Sequence, residues 1–500
     1  MMGQQSLFIN VFIIFTNGFF GPKRLIHFLN STVASNNKLH YALGLCLLMI
    51  GLLFVCSFIP RFAVGTWRFR AVDPLVDVRY DQHQDRPVVQ DSIRAIASLD
   101  SVKTEASDQI IDSVLQIVKA GCPDGLTCME DYSPDSTAFK YFIEALNGIG
   151  QNHKAIRVAL YGDSFIEGDV FCGALRDTLQ LLFGGEGVGY VPITSEVAGF
   201  RGTIKHQFEN WKTYSLVSKK DTSSSIALGP SGFTFVPQEN NWVEYKPSRQ
   251  RFLRELNTAK VYYRNTGASA IDYVVNDTVS HTEDLKNSDR LQEWRYNGKK
   301  EKSLRMQFAP CDSLTLYGAS FESGAGVYVD NFSMRGNSGI GLARIPDEMF
   351  TDFNRYRDYK LIIVQYGLNV VIEDSLNYGW YAARMIKVIN KLKRVYPKAS
   401  ILLISVSDRS SNTSGEYKTM RAIPLMRDAQ RLIAERTGIA FWDLYMAMGG
   451  ENSMVRMAEA KPPLAAKDYT HLTFKGGRKL AGLMVKSLLH EQEIYKRRKR

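Results

Sequence analysis

"RVALYGDSFIEGDVF", residues 157–171, carries an apolar run straight into Gly-Asp-Ser and then into a helical pattern. The preceding "AIRVALYG" is continuous, apolar and rich in β-formers, as expected of a strand buried on both faces. After it, Val170, Phe171, Ala174, Leu175, Leu179 and Leu182 recur at helical spacing, and Gly184-Gly185 ends the pattern. A strand, a tight turn with a hydroxyl and a helix are therefore expected in succession. Ser164 is either a turn residue or a nucleophile. As a nucleophile it would start a helix, whose positive end favours developing negative charge.

The same alternation returns late in the chain. "KLIIVQYG" (360–367), "SILLISVS" (400–407) and "IAFWDL" (439–444) read as short buried strands. Helical segments separate them, and a last helix is expected from about Lys475 to Tyr495. Strands alternating with helices imply a parallel sheet covered on both faces. Residues 195–325 differ. They show short alternating stretches such as "AKVYYRN" and "SLRMQFA" between Asn, Gly and Ser, the pattern of a β-sandwich. "GVYVDNFSM" (326–334) returns to the parent sheet. The expected architecture is thus an α/β domain, 151–194 with 326–500, interrupted by an inserted β-sandwich. A linker and helical region spans 61–150, with one apolar face at Ile110, Ile111, Val114, Leu115 and Val118 and another at Phe139, Phe142, Ile143 and Leu146.

Five hundred residues suit two or three domains. Within 1–60, "ALGLCLLMIGLLFVCSFI" (42–59) has no charge and no polar face, and is long enough to span a bilayer as a helix. Leu7 to Phe20 is shorter and interrupted, and is a second span, an interfacial segment or a start assigned too early. Basic residues flank the 42–59 span on both sides, so they do not orient it. Net charge is +11, and the final "YKRRKR" is either simply solvated or drawn to an anionic surface. No motif for reading nucleic-acid bases is present, and nothing points to a metal or cofactor. Cys122 and Cys128 bracket a polar loop and could close a disulfide in an oxidising compartment.

A serine attacks poorly unless a base takes its proton and donors hold the oxyanion. Of eight histidines, seven lie before the first strand, in the insertion or near the basic end. His471 remains, in "KDYTHLTFKGG", three residues after Asp468. That spacing lets a carboxylate meet Nδ1 and leaves Nε2 for the serine. Two further loops follow strands: "SMRGNSG" with Gly336, and "VQYGLN" with Gly367 and Asn369. A backbone N–H at Gly336, the Asn369 amide and the N–H of Ser164 are the donor types an oxyanion hole requires. Singly, each motif has a plainer reading, since Asp163-Ser164 and Asp468-His471 both suit helix caps. Four strand-end loops supplying the required residue types in order favour the catalytic one.

These blocks resemble the SGNH or GDSL hydrolases: a Gly-Asp-Ser nucleophile at Ser164, a glycine at Gly336, Gly-x-Asn at Gly367 and Asn369, and a late Asp-x-x-His at Asp468 and His471. Val370 departs from the Asp that many members carry after Gly-x-Asn. The resemblance implies a flavodoxin-like three-layer sheet and ester hydrolysis or acyl transfer through an acyl-serine. "YGDSFIEGD" followed by "FGGEGVGYVP", with the position of the insertion, looks like the bacterial peptidoglycan O-acetylesterases, whose inserted sandwich is similar to carbohydrate-binding modules. The implied function is removal of O-acetyl groups from a cell-envelope glycan, by a domain outside the cytoplasmic membrane held by one span at 42–59. Two alternatives stand. One is an O-acetyltransferase fed by a membrane acetyl-donor protein. The other is a glycan-binding protein with a vestigial site. Trp211, Trp242 and Trp294 of the insertion suit either sugar stacking or core packing.

Overall fold

The structure is a computed structural model that describes residues 122–217, 226–248 and 254–499, with the strands Phe62–Val64 and Trp67–Phe69. Those two strands pair antiparallel in a separate unit, Met1–Ala97. The expected spans at 42–59 and 7–20 and the helical face at 110–118 lie outside the described residues. Among the described residues no helix is long and apolar enough to cross a membrane.

The first strand pairing in the main unit is peripheral: β1 (Glu130–Asp131) forms an edge of the sheet that the site depends on. The quoted stretch forms β2 (Ala155–Gly162), in which Val158 to Tyr161 are wholly buried. Such burial of successive residues requires cover on both faces. The insertion contributes β3 (Glu186–Val191), β4 (Ile204–Ser215), β5 (Phe233–Pro247), β6 (Leu256–Asn265), β7 (Ala270–Val275), β8 (Val279–Asp284), β9 (Ser288–Glu301), β10 (Leu304–Phe308) and β11 (Thr315–Ser323). The chain then returns as β12 (Gly326–Ser333) and continues through β13 (Tyr359–Gln365), β14 (Ser400–Ile404), a hairpin of β15 (Ser410–Thr413) and β16 (Glu416–Thr419), and β17 (Ala440–Trp442).

The six-stranded sheet has the order β12-β2-β13-β14-β17-β1. Its first five strands are parallel, and β1 alone runs antiparallel against β17. Taken in chain order, the parallel strands read 2-1-3-4-5, a doubly wound arrangement whose order reverses at β2. One line of register crosses the sheet through Ser333, Gly162, Gln365, Ile404 and Trp442. The carboxyl ends of all five strands therefore align, and the loops that follow them leave from one edge. The covering helices are α1 (Lys140–Asn147), α2 (Cys172–Phe183), α3 (Asp347–Arg357), α4 (Gly379–Val395), α5 (Ala422–Thr437) and α6 (Phe474–Arg498). By contact they form two groups, α1 with α6 and α2, and α3 with α4 and α5. As the periodicity predicts, Phe142, Ile143 and Leu146 of α1 face the core.

The strands of the insertion form one continuous antiparallel network of nine, rather than two unconnected sheets. β5 makes the corner: it pairs with β4 along most of its length, with β10 at Val243–Tyr245 and with β11 at Phe235. Alternation along β10 sends Leu304, Met306 and Phe308 into a core of their own, apart from the main one. The network begins at Glu186 and not at 195, because β3 pairs with β11. Its glycines, in "EGVGYV", hide the strand pattern from the sequence.

The two sheets meet through buried charge. Arg357, at the end of α3, is fully buried between Asp330 of β12 at 2.6 Å and Glu322 of β11 at 2.6 Å. It also donates to Tyr262 Oη and Ser320 Oγ of the insertion, at 3.1 and 2.8 Å. Arg157 of β2 and Lys260 of β6 add further bonds to Glu322, at 2.7 and 3.3 Å. Burial would raise the Glu322 carboxyl, but Arg357 and Arg157 hold it well below the usual carboxylate range. Removing one member of such a network strands the others without a partner. Arg357→Ala is expected to cost about 3–5 kcal/mol, read as a lower urea midpoint. Arg394→Ala, which breaks a pair with half-exposed Asp347, is expected to move it little.

Candidate active site

Three of the aligned loops, and the turn before α6, carry the residues singled out in the sequence. Ser164 lies two residues beyond the end of β2, Gly336 beyond β12, Asn369 beyond β13, and the Asp468–His471 turn just before α6. Ser164 Oγ is 3.1 Å from His471 Nε2. His471 Nδ1 is 2.7 Å from Asp468 Oδ2, and Asp468 Oδ1 accepts from the backbone N–H of both Thr470 and His471 at 3.0 Å. Burial raises the Asp468 carboxyl, yet the His471 backbone and side chain and the Thr470 N–H outweigh it and hold it below its ordinary value. Asp468 thus stays ionised and fixes the imidazole with Nε2 towards the serine. The His471 and Asp468 side chains remain 38% and 49% exposed, so water reaches the imidazole.

Ser164 does not start a helix. A short 3-10 turn, Glu167–Asp169, follows it, with Gly168 at φ +66° and Asp169 at φ +62°, and α2 begins only at Cys172. Ser164 therefore does not stand at the N-terminus of α2, and the expected support from a helix dipole is not found there. Neither Ser164 N–H nor Gly336 N–H pairs with a carbonyl oxygen among the described residues. The Asn369 amide donates to Asn337 O at 3.2 Å, which joins the two loops expected to supply the oxyanion donors. The turn at Asn369 closes without the Asp that Val370 replaces, because Val370 N–H and Val371 N–H both donate to Gly367 O, at 2.9 and 3.2 Å. Gly367 sits at φ +122°, and a Cβ there would lie 2.7 Å from Val406 Cγ1.

Two groups that hold this arrangement escaped the sequence reading. Asp169 is buried and accepts from Thr203 Oγ1 at 2.5 Å, Asn331 at 2.7 Å, Arg201 at 2.9 Å and Arg176 at 3.1 Å. It ties the loop after Ser164 to α2, to β12 and to the start of the insertion. The doubled acidic pattern of "GDSFIEGD" was its only signal. Asp163 is wholly buried. Its Oδ1 accepts from Phe165 N–H at 2.9 Å, and its Oδ2 has no hydrogen-bond partner. The insertion's tryptophans are engaged in structure. Trp294 is buried and donates to Glu283, Trp211 donates to Trp242 O, and Trp242 lies under Arg305 at 4.0 Å. Cys122 and Cys128 are disulfide-bonded. Among the described residues no group of three His, Cys, Asp or Glu side chains is placed to hold a metal ion.

No family model matches the chain, and no curated protein matches it. A solved structure of a peptidoglycan O-acetylesterase superposes with a TM-score of 0.59, at 19% identity, over 73% of this chain and 99% of that one. A family two carbohydrate esterase from Clostridium thermocellum, in complex with cellohexaose, is 10% identical over 53% of this chain and 97% of that one; its TM-score of 0.25 is too low to carry an argument. The resemblance to SGNH hydrolases, and within them to peptidoglycan O-acetylesterases, is thus matched by a likeness of fold.

Burial pushes the Asp163 carboxyl up to about 7, against the lowering effects of Phe165 N–H, His471 and Asn369. Below about pH 4 this group is protonated in folded and unfolded chains alike. As pH rises the unfolded chain ionises first, so the folded state loses stability until the pH passes the folded value. Asp163→Asn cannot ionise. The melting temperature of the variant relative to the parent is expected to rise between about pH 4 and pH 8, and a pH-independent difference would refute the assignment.

Proposed function

We propose that the protein is a serine esterase that removes O-acetyl groups from a cell-envelope glycan such as peptidoglycan. The observation that carries the reading is the continuous chain from Ser164 Oγ through His471 to Asp468. Ser164 Oγ attacks the acetyl carbonyl while His471 Nε2 takes its proton. Ser164 N–H, Gly336 N–H and the Asn369 amide hold the tetrahedral oxyanion. His471 returns the proton to the departing sugar oxygen, which leaves an acetyl-serine. His471 then activates a water, whose attack releases acetate and restores Ser164. The fold shared with a peptidoglycan O-acetylesterase supports the substrate class. Exposure of His471 and Asp468 favours water over a sugar as the acyl acceptor.

Acetate release from O-acetylated peptidoglycan tests the reading. Ser164→Ala and His471→Ala should each lower kcat by roughly a thousandfold or more, and the double variant should be little worse, because the residues act as one unit. Multiplicative losses would show that the roles are misassigned. Acetyl-glycan formed in place of acetate would mark a transferase. A fluorophosphonate that leaves Ser164 unlabelled in folded protein would mark a vestigial site.

The catalytic unit is proposed to lie outside the cytoplasmic membrane, with residues 42–59 as its anchor. The uncharged stretch at 42–59 and the Cys122–Cys128 disulfide, which persists where thiols oxidise, support this placement. Alkaline phosphatase fused after Arg70 should be active in cells. An inactive fusion, with β-galactosidase active at the same point, would overturn it.

A further inference from the structure

Most large apolar side chains of this unit are buried, but two phenylalanines beside the Ser–His pair are not. Phe200 is 57% exposed and Phe474 is 41% exposed. Their rings stack with centroids 5.4 Å apart and planes inclined at 29°. Neither ring carries a polar atom that would justify leaving it in water, and exposed apolar patches mark binding surfaces.

Both rings are fixed by the segments that carry the chemistry. Phe200 covers Gly168, four residues beyond Ser164, so closely that a Cβ at Gly168 would lie 2.5 Å from its Cδ1. Phe474 begins α6, three residues beyond His471. Thr473 caps that helix, accepting from Gly476 N–H at 3.2 Å, which settles the turn that presents the ring. The same turn packs against the nucleophile segment: a Cβ at Gly477 would lie 2.1 Å from Val170 O. The stacked pair therefore bridges the two segments that hold Ser164 and His471, and it is exposed to solvent.

We propose that Phe200 and Phe474 form a platform for one pyranose ring of the acylated glycan. The inference rests on the esterase reading above. A pyranose ring has an apolar C–H face that packs on an aromatic surface, while its hydroxyls stay in water. An aromatic side chain also loses little rotamer freedom on binding. The insertion's tryptophans are engaged elsewhere: Trp294 is buried, Trp242 lies under Arg305, and Trp211 packs edge-on to Phe308 and donates to Trp242 O.

Two acetyl esters separate this proposal from the reading on which it rests. The purified full chain is assayed on O-acetylated peptidoglycan and on p-nitrophenyl acetate, which has no sugar. Each ring lost should lower kcat/KM on the glycan about 3- to 10-fold more than on the small ester, mainly through KM. Phe200→Ala with Phe474→Ala should lower that ratio by about tenfold or more, and Phe200→Tyr should retain it. Turnover of the small ester by each variant reports its folding. A double variant that turns over both esters at the parental ratio overturns the platform alone. A parent that hydrolyses only the small ester overturns the platform and the glycan substrate together. A parent that hydrolyses neither overturns the esterase reading, and the platform with it.

Discussion

Arg357 sets the terms for the rest of this structure. A guanidinium taken wholly out of water is tolerable only if anions and acceptors surround it, and no single element of this fold supplies enough of them. Asp330 comes from the parallel sheet, whereas Glu322, Ser320 and Tyr262 come from the insertion. The charge is satisfied only when the two sheets are docked. Such a network adds less net stability than a hydrophobic contact of equal size would. It specifies the docking, because any displaced arrangement leaves a charge buried and unpaired.

That docking reaches the site through β12. Asp330 and Asn331 are adjacent, and neighbouring residues on a strand face opposite sides of the sheet. Asp330 turns to Arg357, while Asn331 donates to Asp169 at 2.7 Å. Asp169 in turn gathers Arg176 from α2 and Arg201 and Thr203 from the lead into the insertion. Burial alone would raise its carboxyl, but Arg176 and Arg201 drive it far below the usual range, so it remains an anion to which the loop after Ser164 is tied. The loop holding Ser164 is thus fixed on one side by β2 and on the other by β12 and the insertion. β12 also ends at Ser333, three residues before Gly336, so one strand positions both the loop of Ser164 and a candidate oxyanion loop.

What the sequence revealed follows from where each signal resides. The parallel strands were legible because burial on both faces writes a continuous apolar run, as in Val158 to Tyr161. The site loops were legible because aligned strand ends bring Ser164, Gly336 and Asn369 to one edge, where the turn before α6 adds His471. The start of α2 was misplaced because Phe165 and Ile166 continue the apolar pattern while Gly168 and Asp169 turn left-handed between them and the helix. β3 was missed because its glycines carry no side-chain alternation, and β1 because a two-residue edge strand has none to show. Hidden most completely were the ion pairs. Arg157 meets Glu322 across 165 residues, and Arg431 meets Glu130 across 301. Nothing local marks such partners, since each alone reads as an ordinary surface charge.

Two aspartates act on His471, and their surroundings divide the labour. Asp468 is half exposed, and two backbone N–H groups and the imidazole favour its charge, so it is ionised at any pH at which the base works. Asp163 also lies close enough to act electrostatically on His471, but it is sealed from water, and Phe165 N–H and the Asn369 amide only partly offset its burial. Burial moves its proton affinity to about 7, next to the ordinary range of a histidine. Identical side chains thus take different charges because one is solvated and hydrogen-bonded and the other is not. In the proposed reaction a permanent anion at Nδ1 orients the base. A second permanent anion on the serine side would hold the imidazolium too tightly to return its proton and would oppose the developing oxyanion. In the proposed reaction, an Asp163 protonated below about pH 7 would not add that charge, and its bond to Phe165, which shapes the turn after Ser164, would be retained.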